Sequence, residues 1–181
     1  TTELSVLSSG GMVLNRLVKI GGEHFDTAIG NLVRHNKDFL IGRMTSERLR
    51  REFGVFDQDT GSALTVSGRD LISGVPSQTK IQISLVRAAM KEPLEECVRA
   101  IRSMIDRTPP DVRRAIEDEG IYLTGGIANL RGLSTYLEES IGLPVMTVPD
   151  PELCAVKGLQ KIILDKTYYR RLTYSMLDED Y

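Results

Sequence analysis

Ile121-Tyr122-Leu123-Thr124-Gly125-Gly126-Ile127-Ala128 is the stretch from which the fold is read. Three apolar residues predict a short buried strand, Thr-Gly-Gly breaks it, and residues 130–137 read as a helix. A strand that turns through glycines into a helix brings bare backbone close to whatever lies above the turn. The helix start adds unpaired N–H groups and the positive end of a dipole. Phosphates and nucleosides often sit at such places. The same turn also serves plain packing in many α/β proteins, so both readings stand at this point.

Outward from that turn the chain alternates strand and helix signals. Residues 1–7 alternate as a strand, Ser9-Gly10-Gly11 turns, and residues 12–20 return. No initiating Met precedes Thr1, and the opening reads as the continuation of a domain begun earlier. Gly21-Gly22 closes the hairpin, Phe25, Ile29, Leu32 and Val33 keep helical spacing, and Gly42 ends that segment. A short helix follows, with Thr45 or Ser46 as its cap, Leu49 and Phe53 as its apolar side and Gly54 as its stop. Residues 63–83 read as short strands separated by turns at Ser67-Gly68 and Gly74-Val75-Pro76-Ser77. Helix signals resume near Ser84, and Pro93 predicts a kink or two abutting helices. Leu94, Val98, Ile101 and Ile105 form an apolar stripe read as core. Thr108-Pro109-Pro110-Asp111 reads as a capped helix start, and Gly120 as that helix's end. Beyond the opening stretch a helix stops at Gly142 and residues 143–148 form a strand. Asp150-Pro151-Glu152 begins a last helix carrying Leu159, Ile162 and Ile163. The tail from Thr167 carries Tyr168, Tyr169, Tyr174 and Tyr181 among charges, and its end is expected to be disordered.

Composition removes several classes of function. The 181 residues are 41% apolar and 27% charged, with a net charge of −2 and scattered lysines and arginines, so no nucleic-acid footprint is expected. Arg43, Arg48, Arg50 and Arg51 cluster, but Glu47 and Glu52 dilute them into a solvated helix face. Glu47 and Arg50 are three apart and read, by spacing alone, as an exposed ion pair. Cys97 and Cys154 read as buried, reduced thiols without metal-type spacing, and His24 and His35 lack partners for a metal site. There is no run of 18 apolar residues and no signal peptide, and no general base with a credible partner, so no catalytic residue and no metal ligand is expected.

At this point the motifs resemble a family. Ile20-Gly21-Gly22-Glu23-His24-Phe25-Asp26 is similar to the Gly-Gly-x-x-Phe-Asp element of the superfamily of actin, DnaK-type chaperones and sugar kinases. Ile41-Gly42 with Thr45-Ser46-Glu47-Arg48-Leu49-Arg50, then Gly68-Arg69-Asp70-Leu71-Ile72-Ser73-Gly74-Val75-Pro76, resemble successive segments of the MreB family of bacterial actins. Leu123-Thr124-Gly125-Gly126 resembles its adenosine loop, and residues 149–158 resemble the start of its final helix. The elements come in family order over residues 1–166, and the likeness is to the family's second half. Arg50 stands where the family has Lys, and Ile127 where it has a third Gly; the tyrosine-rich tail has no counterpart.

The resemblance implies an α/β fold: half of an actin-like ATPase, a ribonuclease H-like lobe with a small α+β insert. Residues 1–21 and 83–150 would form the lobe, 22–82 the lid-like insert, 151–166 a helix crossing to the other half, and 167–181 the tail. It implies a slow ATPase that forms ATP-dependent filaments in the cytoplasm, at the inner face of the membrane, with cell-wall elongation and membrane proteins as partners. Rod shape would follow from organised wall synthesis. Residues Thr1, Glu47, Arg48, Leu49, Arg50, Gly125, Gly126, Ile127 and Ala128 would border ATP, with Mg²⁺ held elsewhere, while residues 1–181 alone would neither hydrolyse nor measurably hold nucleotide. A kinase or chaperone lobe of the same superfamily, and a nucleotide-indifferent interaction module on the actin fold, are the alternatives.

Overall fold

The computed structural model describes residues 1–54 and 61–164. The expected tail and the end of the last helix lie outside the described residues. The chain opens with an antiparallel hairpin, β1 (Thr2–Ser8) and β2 (Gly11–Val18). Its two-residue turn puts both Ser9 and Gly10 at positive φ, +51° and +81°, as a tight hairpin matched to strand twist requires.

Helix α1 (Gly22–Lys37) follows, with Glu23 in its first turn and Arg34, His35 and Lys37 in its last, each favourable to the dipole. It ends at Asp38, in the left-handed region at φ +48°, rather than at Gly42. The two-residue strand β3 (Phe39–Leu40) then intervenes, which no periodicity could announce. Helix α2 (Arg43–Phe53) is capped by the extended Gly42, not by Thr45 or Ser46, whose amides already donate to the Gly42 carbonyl at 3.0 and 3.1 Å. Gly54 ends it as read.

Strands β4 (Ala63–Asp70) and β5 (Pro76–Gln82) form a long hairpin, with β3 on the free side of β4. Ser67-Gly68 is therefore strand, not turn. Gly68 is glycine because β3 crosses so close that a Cβ there would strike the Leu40 carbonyl and the Phe39 ring. The true turn lies earlier than read, at residues 71–74. Asp70 fastens it: Oδ1 accepts from the Ile72 amide at 3.0 Å, the Ser73 amide at 2.7 Å and the Ser73 hydroxyl at 3.0 Å. The Ser73 backbone bond above all holds the Asp70 carboxyl below its ordinary value of 3.8. The turn is thus tightened above that range and released as pH falls through the lowered value. We expect Asp70→Asn to speed hydrogen exchange at Ile72 and Ser73 at neutral pH. The difference from the unaltered protein should vanish once the acid itself is protonated.

Helix α3 (Ile83–Arg107) runs unbroken through Pro93, so two abutting helices are ruled out. Thr108 belongs to its end: the hydroxyl donates to the Met104 carbonyl at 2.9 Å and the amide to Ile105 at 3.1 Å, leaving Pro109 as the N-cap of α4 (Pro110–Glu119). Strand β6 (Ile121–Leu123) is half-buried rather than buried, with Tyr122 60% exposed. It pairs in parallel with β7 (Val145–Thr147) through the crossover helix α5 (Leu133–Ile141). Residues Gly126–Asn129 form a 3₁₀ turn, and α5 starts only after Gly132 at φ +78°. The glycine turn therefore does not open directly into an α-helix. A second 3₁₀ turn, Pro151–Leu153, leads into α6 (Cys154–Leu164). Cys97 is buried, and burial raises its thiol pKa; Cys154 is only half-buried.

One apolar core joins most of these elements, α4 and α6 excepted. Ile29 and Val33 of α1, Leu49 of α2, Val66 and Ile81 of the insert sheet, and Val86 and Met90 of α3 belong to a single cluster that also takes in Leu133 and Val145. Residues of the expected insert, 22–82, and of the expected lobe thus share one interior. Leu159 and Ile163 of α6 are exposed.

Candidate functional site

Three separate segments meet at the start of α1. The glycine pair Gly21-Gly22 lies between them. The backbone of Thr1 packs on Gly21 so closely that any Cβ there would collide with it, and the Thr2 hydroxyl donates to the Ile20 carbonyl at 2.8 Å. Thr1 and Thr2 are thereby held beside Gly21. On its other side, Gly22 faces two side chains at once: a Cβ would lie 3.3 Å from Ile127 Cδ1 and 3.4 Å from Arg50 Nη2. The α2 residue and the loop residue, 77 positions apart by subtraction of their numbers, are thus brought together over one glycine.

Arg50 is not on a solvated face. It is 6% exposed, as is Asp26, and Nε donates to Asp26 Oδ1 at 2.7 Å while Nη2 donates to Oδ2 at 3.4 Å. Burial is tolerated because each charge meets its opposite with good geometry. Glu47 lies a helical turn away, 4.0 Å from Arg50 Nη2, and its Oε1 holds the exposed Arg51 at 2.7 Å. The exposed Glu47–Arg50 pair read from spacing is in fact a four-residue set, two carboxylates with two guanidinium groups, and its formal charge sums to zero.

Two of the sequence candidates fall elsewhere. Leu49 is wholly buried in the core, and Arg48 turns to the opposite helix face, where it donates to the Thr65 carbonyl at 3.2 Å and pairs with Glu52 at 3.8 Å. Asp26 was not among the site residues expected from the sequence, so the partner of Arg50 was missed. The signal was present in the Gly-Gly-x-x-Phe-Asp spacing, which puts Asp26 on the inner face of the second turn of α1.

The loop itself is fixed from behind. The Gly125 amide donates to the Pro151 carbonyl at 2.7 Å, and Asn129 Nδ2 donates to Glu152 at 2.6 Å. Arg131 Nη2 donates to the Glu52 carbonyl at 3.0 Å, tying the loop's far end to α2. Gly125 needs its glycine, because φ is +86°. Gly126 has no positive φ, and a Cβ there would meet nothing within 4 Å. Ala128 is buried beneath. Among the described residues no group of three or more His, Cys, Asp or Glu side chains is placed to hold a metal ion.

Comparison with known proteins follows the same lines. A crystal structure of MreB5 of Spiroplasma citri bound to AMPPNP superposes with a TM-score of 0.87 at 26% identity, over 96% of this chain and 52% of that one. The MamK double helical filament shares the fold at a TM-score of 0.63 and 17% identity, over 76% of this chain and 42% of that one. The architecture is that of the actin-like filament proteins. Cell shape-determining protein MreB of Escherichia coli K12 is 39% identical over 159 residues, 87% of this chain and 46% of that protein. A family profile described as MreB/Mbl protein matches residues 1–170. The chain belongs to the MreB/Mbl family. It spans about half the length of the curated relatives it matches.

Proposed function

We propose that this chain forms the purine and ribose side of the nucleotide cleft in an MreB-like, ATP-dependent filament protein that sets rod shape by organising cell-wall synthesis. The observation that carries the reading is the meeting of Gly22, Arg50 and Ile127. A loop and a helix distant in sequence converge there on a glycine, beside the open backbone of Gly126. A glycine that neither its dihedral nor its neighbours demand leaves room for an approaching group. The zero formal charge of the Asp26, Arg50, Glu47 and Arg51 set suits a neutral, hydrogen-bonding nucleoside better than a phosphate. The late start of α5 likewise puts no strong helix dipole at the loop.

In this reading Glu47 and Arg50 hold base or ribose from α2, Gly125, Gly126, Ile127 and Ala128 form the loop beneath, and Thr1 borders the phosphates. ATP supplies the bridge between two halves of the fold. Closure follows from tighter binding to the closed state, and closed subunits stack while hydrolysis weakens the stack. Where Mg²⁺ accompanies ATP, its ligands are expected from the other side of the cleft, and no step is assigned to it here. Residues 1–181 alone are not expected to hydrolyse ATP, because the sequence reading finds no general base with a credible partner. Membrane and wall-synthesis proteins are the expected partners at the cytoplasmic face; no described helix is long and apolar enough to cross the bilayer.

The branched Ile127 side chain beside Gly22 favours one second reading, an actin-fold interaction module indifferent to nucleotide. Sedimentation of the full-length gene product separates the two. We expect substantially more polymer with ATP than with ADP or without nucleotide. Equal pelleting in all three conditions would establish the module instead.

A further inference from the structure

Asp26 has no place in the cleft as described, yet it is among the few buried charged side chains of the chain, beside Arg50. Its contact with Arg50 is side-on. One carboxylate oxygen takes Nε at 2.7 Å and the other takes Nη2 at 3.4 Å. Two parallel contacts fix the plane of a guanidinium as well as its position, which a single contact cannot do. A lysine ammonium, being a point charge on a flexible stem, could not be oriented this way. The plane so fixed lies against Gly22 and next to Ile127 Cδ1, where a larger residue at position 22 would intrude. Nη1 takes no part in the clamp.

We propose that Asp26 is a positioning residue for nucleoside recognition, acting on the ligand through Arg50 by locking the guanidinium plane over Gly22. This rests on the reading of the cluster as a nucleoside site. The pair is made wholly by the chain's own residues, so the ordering of the long Arg50 side chain is borne by the fold rather than by the ligand. The alternative is an ion pair that merely joins α1 to α2.

A double-mutant cycle on ligand affinity separates the two, with ADP as the probe and the full-length gene product as the protein. Asp26→Asn is expected to weaken ADP binding roughly tenfold in the otherwise unaltered protein and less than about twofold in an Arg50→Met background. Equal weakening in both backgrounds, or unchanged affinity with only a lower melting temperature, overturns the proposal. Should Asp26→Asn fail to fold, Asp26→Glu, which keeps the charge but shifts the carboxylate by one methylene, takes its place in the cycle: weaker ADP binding that disappears in the Arg50→Met background supports the proposal, and unchanged affinity overturns it. Absence of ADP binding by the unaltered protein is a different result, and it removes the nucleoside reading itself.

Discussion

Replacing Asp26 with Leu should destabilise the protein by about 3–5 kcal/mol, the range for removing one partner of a buried ion pair. The reason is not the lost attraction. Arg50 is 6% exposed, so its guanidinium stays out of water with its carboxylate gone. Glu47 cannot take over, since it sits 4.0 Å from Nη2 and already holds Arg51 at 2.7 Å. Removing both charges should reverse much of the loss. Asp26→Leu/Arg50→Met places two apolar chains of comparable length where the pair was, and such replacements are often neutral or stabilising. Urea unfolding of the three variants measures this directly. If Asp26→Leu costs less than about 1 kcal/mol, as exposed pairs do, the burial of this pair has been misjudged.

The second large effect concerns the shared core. Ile29 is fully buried on α1, which packs against both α2 and α3. Ile29→Ala removes three carbons from that junction and should cost about 2–5 kcal/mol, the spread depending on how far the neighbours collapse into the space. Because insert and lobe residues lie in one cluster, the loss should be felt by both. We expect a single cooperative transition, with far-ultraviolet circular dichroism and the fluorescence of a dye placed on the insert sheet giving coincident curves. Two separate transitions would show that the insert holds itself together without the lobe.

Much of the fold is legible in the residues because it rests on local chemistry. Ser9-Gly10 makes a tight hairpin wherever it stands between alternating strands. The stops at Gly54, Gly120 and Gly142 are legible from backbone freedom, and Phe25, Ile29 and Val33 announce the buried face of α1 by spacing. The misreadings share a different cause. Ser67-Gly68 looked like a turn because glycine usually marks one, but its reason is the crossing of Phe39 and Leu40, a contact made only in the folded chain. Strand β3 is too short to have a period. Thr108 has the chemistry of an N-cap, yet its hydroxyl bonds backwards to Met104 and closes the preceding helix. The helix expected from residue 130 starts only at Leu133, because Gly132 adopts the left-handed conformation and restarts the chain.

The candidate site divides the same way. Gly125 was legible from turn chemistry. Glu47 and Arg50 were legible as neighbours on one helix face, but not as buried and exposed members of a larger charge set. Leu49 and Arg48 followed from adjacency in sequence, which a helix scatters over opposite faces. Asp26 needed a contact across 24 residues to acquire a role.

The central claim is that this cluster holds the nucleoside of a nucleotide. Calorimetric titration of the full-length gene product with ADP, set against its Glu47→Ala variant, tests it most directly. The account predicts measurable binding by the unaltered protein and a loss of roughly tenfold or more in the variant, as removal of a charged hydrogen-bonding group implies. Unchanged affinity in Glu47→Ala, or no ADP binding by the unaltered protein, would contradict it.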